Sequence, residues 1–166
     1  MSSHFITPAM DQAVGRELFR RSSYPIADAD VRRWMLAVYW PEPPPAPMLD
    51  AGSESFRVPE EFNPFGWLAA YVSDPEAFGN QNDPDHTERV LDLDRMGFKN
   101  VINGGVSVSY GVPMRVGDVV TSTYSLGGYS EREGRFGAML YTVLVDRWTN
   151  LQDELIKTQR ITLVRY

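Results

Sequence analysis

The chain has 166 residues, no cysteine, a formal charge of -6 and an apolar fraction of 43%. That length supports one domain burying roughly 70% of its unfolded surface without staples, and the missing cysteines exclude disulfides, thiolate zinc sites and cysteine nucleophiles together. The acidic balance, with no cationic run longer than Arg20-Arg21 or Arg32-Arg33, argues against a nucleic-acid partner.

Residues 1–10 read as a loose arm and 11–18 as a short helical segment. Residues 21–26 read as a first strand: Ser23, Tyr24 and Ile26 suit a pleated surface, and Pro25 puts it at a sheet edge. Asp28 or Asp30 can cap the next helix, whose apolar residues Val31, Trp34, Met35 and Val38 recur at three- and four-residue spacing. Prolines at 41, 43, 44, 45 and 47 then forbid helix and interior strand alike. Asn63 caps a second helix over 65–72 with Pro64 in its first turn. Trp67, Leu68, Ala69, Ala70 and Tyr71 make that helix apolar all round, so it should be buried.

Residues 73–99 are polar and rich in turn formers, and they read as a long loop holding at most a short helical turn. Strands follow over 101–112, 119–129, 138–150 and 155–164. Their links, 114–118, 130–137 and 151–154, are each short enough for a hairpin, which predicts a meander. In the first link Gly117 suits a left-handed position that Arg115 and Asp118 fix. The fold class is α+β: a single domain, residues 1–166, with an antiparallel sheet and a helix on one face. No apolar run reaches membrane-spanning length and the first ten residues lack a signal-peptide pattern, so a cytoplasmic chain without membrane contact is expected. No glycine-rich nucleotide loop or nucleophile elbow is present, and His4 and His86 are the only histidines. No cofactor and no metal is expected.

The stretches GRELFRRSSYPI, RVPEEFNPFGWL, VINGGVSVSYGVPMRVGDVV, YSEREGRFGAMLYTVLVDRWTN and ELIKTQRITLVRY together resemble the N-terminal type of MaoC-like dehydratase domain, over residues 15–166. The resemblance implies a hot-dog fold, an antiparallel sheet wrapped around a central helix, in domains that pair side by side and bind acyl thioesters at the seam. It implies reversible hydration of an enoyl thioester to a 3-hydroxyacyl thioester. That reaction needs a carboxylate and an imidazole for the proton transfers and a backbone amide for the enolate oxygen. Catalytic family members carry the first two on a Gly-Asp-x-Asn-Pro-x-His stretch after the first helix. Here that place is WPEPPPAPML, where Glu42 is the one ionisable residue. The resemblance therefore implies the non-catalytic subunit type of a two-component enoyl-CoA hydratase or (3R)-3-hydroxyacyl dehydratase of fatty-acid or lipid metabolism. A catalytic MaoC-like partner chain would supply the Asp and His. A homodimer remains open for the chain alone.

Substrate-binding candidates on this reading are Phe62, Asn63, Phe65, Gly66 and Trp67 around the second helix N-terminus, although Phe65 and Trp67 also suit plain core. Trp40 and Met48 also suit an apolar acyl pocket. Asn103, Gly104 and Gly105 could offer backbone amides to the acyl-CoA or other acyl thioester, or simply form a strand bulge. Residues 79–86, GNQNDPDH, echo the catalytic pattern but fall after the second helix, and His86 reads as a surface histidine. Arg132 and Arg135 read as solvated loop charges, with coenzyme A phosphates as the sharper alternative. Two rival readings stay open. One is an autonomous homodimeric hydratase or acyl-CoA thioesterase using Glu42, Asp85 or His86, or Glu60 and Glu61; the other is an acyl-ligand binding or structural module.

Overall fold

The computed structural model describes residues 5–45, 58–66, 83–134 and 137–166. Five strands, β1 (Glu17–Ser22), β2 (Val101–Tyr110), β3 (Thr121–Gly134), β4 (Gly137–Thr149) and β5 (Leu155–Arg165), form one antiparallel sheet in the order β1-β3-β4-β5-β2. Three helices are described: α1 (Pro8–Gln12), α2 (Asp28–Tyr39) and α3 (His86–Val90).

Several expectations need correction. The first strand lies earlier than 21–26, and Leu18 belongs to it, not to a helix over 11–18. Residues 5–12 are docked: the Phe5 and Ile6 amides donate to Glu131 Oε1, and Thr7 Oγ1 caps α1 through Met10 N. The link between β2 and β3 is not a hairpin. β2 pairs with β5, and the chain crosses the end of the sheet so that Gly117 and Asp118 bond to Ile26 beyond β1. Gly117 does take a left-handed φ of 93°, with Asp118 Oδ2 accepting from Arg115 N at 2.7 Å. Only β3, β4 and β5 form a meander, and β3 runs to Gly134 where a loop from 130 was expected.

In α2 neither Asp28 nor Asp30 is the N-cap; Ala27 is, without a side-chain bond. Both carboxylates lie in the first turn, where they face the positive helix end and pair with Arg32 and Arg33. Val31 and Met35 dock the helix, with Trp34 half-buried beside them, whereas Val38 is exposed. The expected second helix over 65–72 lies outside the described residues beyond Gly66, as do 1–4, Met48, 73–82 and Arg135.

Strand register assigns the sheet faces, because side chains alternate and bulges shift the alternation by one. The inner face carries Arg21, Ser122, Tyr124, Leu126, Thr142, Asp146, Trp148, Lys157 and Arg165. One core cluster joins Trp148 and Ile156 to Ile26, Val31, Met35, Phe62 and Phe65; a second joins Leu126 to Ala13 and Leu91.

Candidate functional site

A cleft of about 430 Å³ opens where the segment after β1 meets α2 and the turn over 58–66. Its walls are Tyr24 to Ala27, then Asp30, Arg33 and Trp34 of α2, and Phe62, Asn63, Pro64 and Gly66. Asn63 Oδ1 accepts from Phe65 N at 3.0 Å, the bond expected where a side chain caps the start of a helix. Trp34 meets Phe62 edge to face, closing the apolar floor.

A buried polar row on the sheet holds this turn in place. Asp146 is 1% exposed and accepts from Ser122 Oγ and Trp148 Nε1, both at 2.7 Å. Trp148 is thereby fixed with one face under the Lys157 ammonium, 3.6 Å from the ring centre, and packs edge to face on Phe65. Lys157 Nζ also lies 3.4 Å from the Glu60 carbonyl, on the turn itself. The Arg21 guanidinium sits 4.4 Å over Phe65. Burial, then the Asp146 charge, push the Tyr124 hydroxyl up to about 12; burial lowers the Lys157 ammonium.

Of the sequence-predicted residues, Phe62, Asn63 and Gly66 come together at the cleft. Phe65 is 2% exposed and is core. Trp67 lies outside the described residues. Asn103, Gly104 and Gly105 are on β2, at the sheet edge opposite β1, where Asn103 Oδ1 accepts from Gly105 N and the register slips by one residue. That is the bulge reading, and within one chain these residues are not at the cleft.

Glu42 is exposed on the turn after the cis Trp40-Pro41 bond. His86 opens α3, and its Nδ1 accepts from Arg89 at 2.8 Å, so its proton sits on Nε2. Burial and the Arg89 charge lower its pKa. The neighbouring carboxylates are engaged elsewhere: Asp85 accepts from Gly97 N, Asp83 approaches Arg89, and Glu88 is buried against Arg165 and Tyr129. A pairing of His86 with an acid, which an autonomous enzyme would want, is not formed among the described residues. Glu60 and Glu61 are exposed in the turn. No group of three or more His, Asp or Glu side chains among the described residues could hold a metal. None of their helices is long and apolar enough to cross a membrane.

Sequence reasoning missed the Asp146 row. Its signal was present: in β4 the inner positions Thr142, Leu144, Asp146 and Trp148 set a carboxylate among apolar neighbours. The outer positions Tyr141, Val143 and Val145 are equally apolar, which hid the inner face.

An antiparallel sheet with the Asn63-capped turn pinned to its inner face is the arrangement of an α+β hot-dog domain. The chain belongs to the FAS1-like dehydratase domain family, whose model, described as the dehydratase domain region, matches residues 12–159. Among solved structures it is similar to the ChsH1-ChsH2 complex from Mycobacterium tuberculosis, with a TM-score of 0.64 and 15% identity over 95% of this chain and 89% of that chain. It is also similar to the (R)-hydratase from A. caviae involved in PHA biosynthesis, with a TM-score of 0.51 and 20% identity over 97% and 98% of the two chains. No curated protein sequence matches it.

Proposed function

We propose that this chain is a non-catalytic subunit of a two-component enoyl-CoA hydratase or (3R)-3-hydroxyacyl dehydratase, completing an acyl-thioester pocket beside a catalytic hot-dog partner. The observation that carries the reading is at β2. Its inner side chains Val106, Val108 and Tyr110 are 53%, 41% and 46% exposed, and among the described residues β2 is an edge strand whose neighbour is β5. Apolar side chains on the inner side of a ten-residue strand that is an edge among the described residues fit a surface that a second sheet is meant to extend. The chemistry supports the same view: Glu42 is the one ionisable group in 40–49, and His86 is held by a cation. The M. tuberculosis neighbour, itself solved as a complex of two proteins, fits this arrangement.

In the assembled enzyme the partner's carboxylate and imidazole would deliver hydroxide to C3 and a proton to C2 of the enoyl thioester. This chain would supply apolar wall from Phe62 and the cleft beside it, and exclude water. Loss of a general acid or base costs roughly a hundredfold to ten-thousandfold. The pure chain is therefore expected to give no loss of enoyl-thioester absorbance across acyl lengths, and a co-purified hot-dog chain carrying Gly-Asp-x-Asn-Pro-x-His should restore it. Robust turnover by the single chain, abolished by Glu42→Gln or His86→Ala, would reject the proposal. Release of free coenzyme A, lost on replacing Glu60 and Glu61, would favour the thioesterase reading instead.

A further inference from the structure

The outer face of the sheet, turned away from Phe65 and the cleft, has a charge opposite to that of the molecule. Register puts Arg20, Thr123, Arg147, Thr158 and Ser109 in one row across all five strands. In the next row Ser125 faces Val145, Val145 faces Arg160 and Arg160 faces Ser107. Arg147 and Arg160 are thus diagonal neighbours, with Cβ atoms about 7–8 Å apart in such a geometry. Arg132 lies further along the same face, its guanidinium 5.0 Å over the Tyr141 ring. All four arginines are exposed.

The opposing charges are Glu17, bonded to Arg20 at 2.9 Å, and Asp153 in the link between β4 and β5, whose charge also reaches Arg20. Arg132, Arg147 and Arg160 have no carboxylate within ion-pair distance among the described residues. The chain as a whole carries -6, so its remaining surface is more acidic still. An ordinary solvated sheet face mixes both signs; this one segregates them. Between the arginines stand the hydroxyls of Thr123, Thr158 and Ser109 and the uncharged Tyr141, Val143 and Val145, none of which opposes the field.

We infer that this outer face is a docking surface for the acidic face of another protein. The occupant follows from the charge. A second copy pairing through the same face would set arginines against arginines, and an isologous contact of that kind repels. A long nucleic acid would overrun the face onto acidic flanks. A compact acidic surface matches the field and the hydroxyl donors without reaching those flanks. This site is separate from the β2 edge and does not depend on the function proposed above.

The test is fluorescence anisotropy of a labelled short oligoglutamate peptide with the full chain, at low salt and near 0.15 M, against an oligo-dT of matched charge. Arg147→Glu with Arg160→Glu is compared with Arg32→Glu with Arg33→Glu on α2, which changes net charge equally. The wild type should bind the peptide with strong salt dependence, the outer-face variant should lose about tenfold or more, and the α2 variant should stay within about twofold. Arg147→Gln with Arg160→Gln should fall between, and circular dichroism should show every variant folded. Equal losses in both charge-reversed variants would reduce the effect to net charge and overturn the inference. So would absence of salt-sensitive peptide binding, or binding of oligo-dT alone.

Discussion

Asp146 shows how one buried carboxylate can set the geometry of a site it does not touch. It fixes the Trp148 ring through the indole N–H, and Trp148 in turn carries Phe65 and Lys157. Asp146→Ala would strand the Trp148 and Ser122 donors, at a cost of about 1–3 kcal/mol for each unsatisfied group. The expected readout is a lower urea midpoint together with altered tryptophan fluorescence, whereas Ser122→Ala should cost less than Asp146→Ala because the indole bond survives. Titration gives two further expectations. The folded pKa of Tyr124 is raised from 10.0 to about 12, so the folded state holds that proton more tightly than the unfolded chain. Its stabilisation is complete below pH 10 and is lost as pH climbs from 10 towards 12; Tyr124→Phe should flatten that part of an alkaline denaturation profile. His86 is shifted the other way, below 6.5. Its contribution is present above 6.5 and fades as pH falls through the lower folded value, so His86→Asn should weaken the loss of stability as pH falls below 6.5.

At the scale of elements, the strands were legible and their neighbours were not. Alternation in 119–129, 138–150 and 155–164 marked β3, β4 and β5 to within a few residues at most ends, because β-branched and aromatic residues there have no helical alternative. The partner of β2 was illegible: a short link permits a hairpin but does not demand one. What decides it is Gly111 and Val112, whose amides bond to Ile156 and Leu155 and hold the chain on β5 past the end of β2. A Cβ at Gly111 would stand 2.1 Å from the Leu155 carbonyl oxygen, so backbone and not a side chain would have to yield. Gly111→Ala is expected to be among the most destabilising single changes in the sheet, by more than about 2 kcal/mol, seen as a shift in denaturation midpoint. The site was half legible for a similar reason. Asn63 and Pro64 announce a helix start locally, which found Phe62, Asn63 and Gly66. Arg21, Asp146 and Lys157 meet only through pairing across four strands, which no local pattern encodes.

On the scale of the whole molecule, one end of the inner face is packed and the other is bare. Burial is complete at Leu140, Thr142 and Asp146 of β4 and gives way to exposure at β2. Charging that bare end should therefore cost the single chain little while blocking association. Val108→Lys is expected to leave the thermal midpoint within about 2 °C but abolish any dimer in sedimentation velocity. The same lysine at Leu140, which is 0% exposed, should unfold the protein. A dimer that survives Val108→Lys unchanged would move the interface away from β2.

A bare strand ten residues long also has a consequence for supply inside a cell. Any neighbouring chain with an unmatched backbone can zip onto it, so copies made in excess of whatever covers it are exposed to clumping and to proteases. The steady level of this protein would then follow the output of its cover, and producing the two at matched rates, from one message for instance, would keep the orphan fraction small.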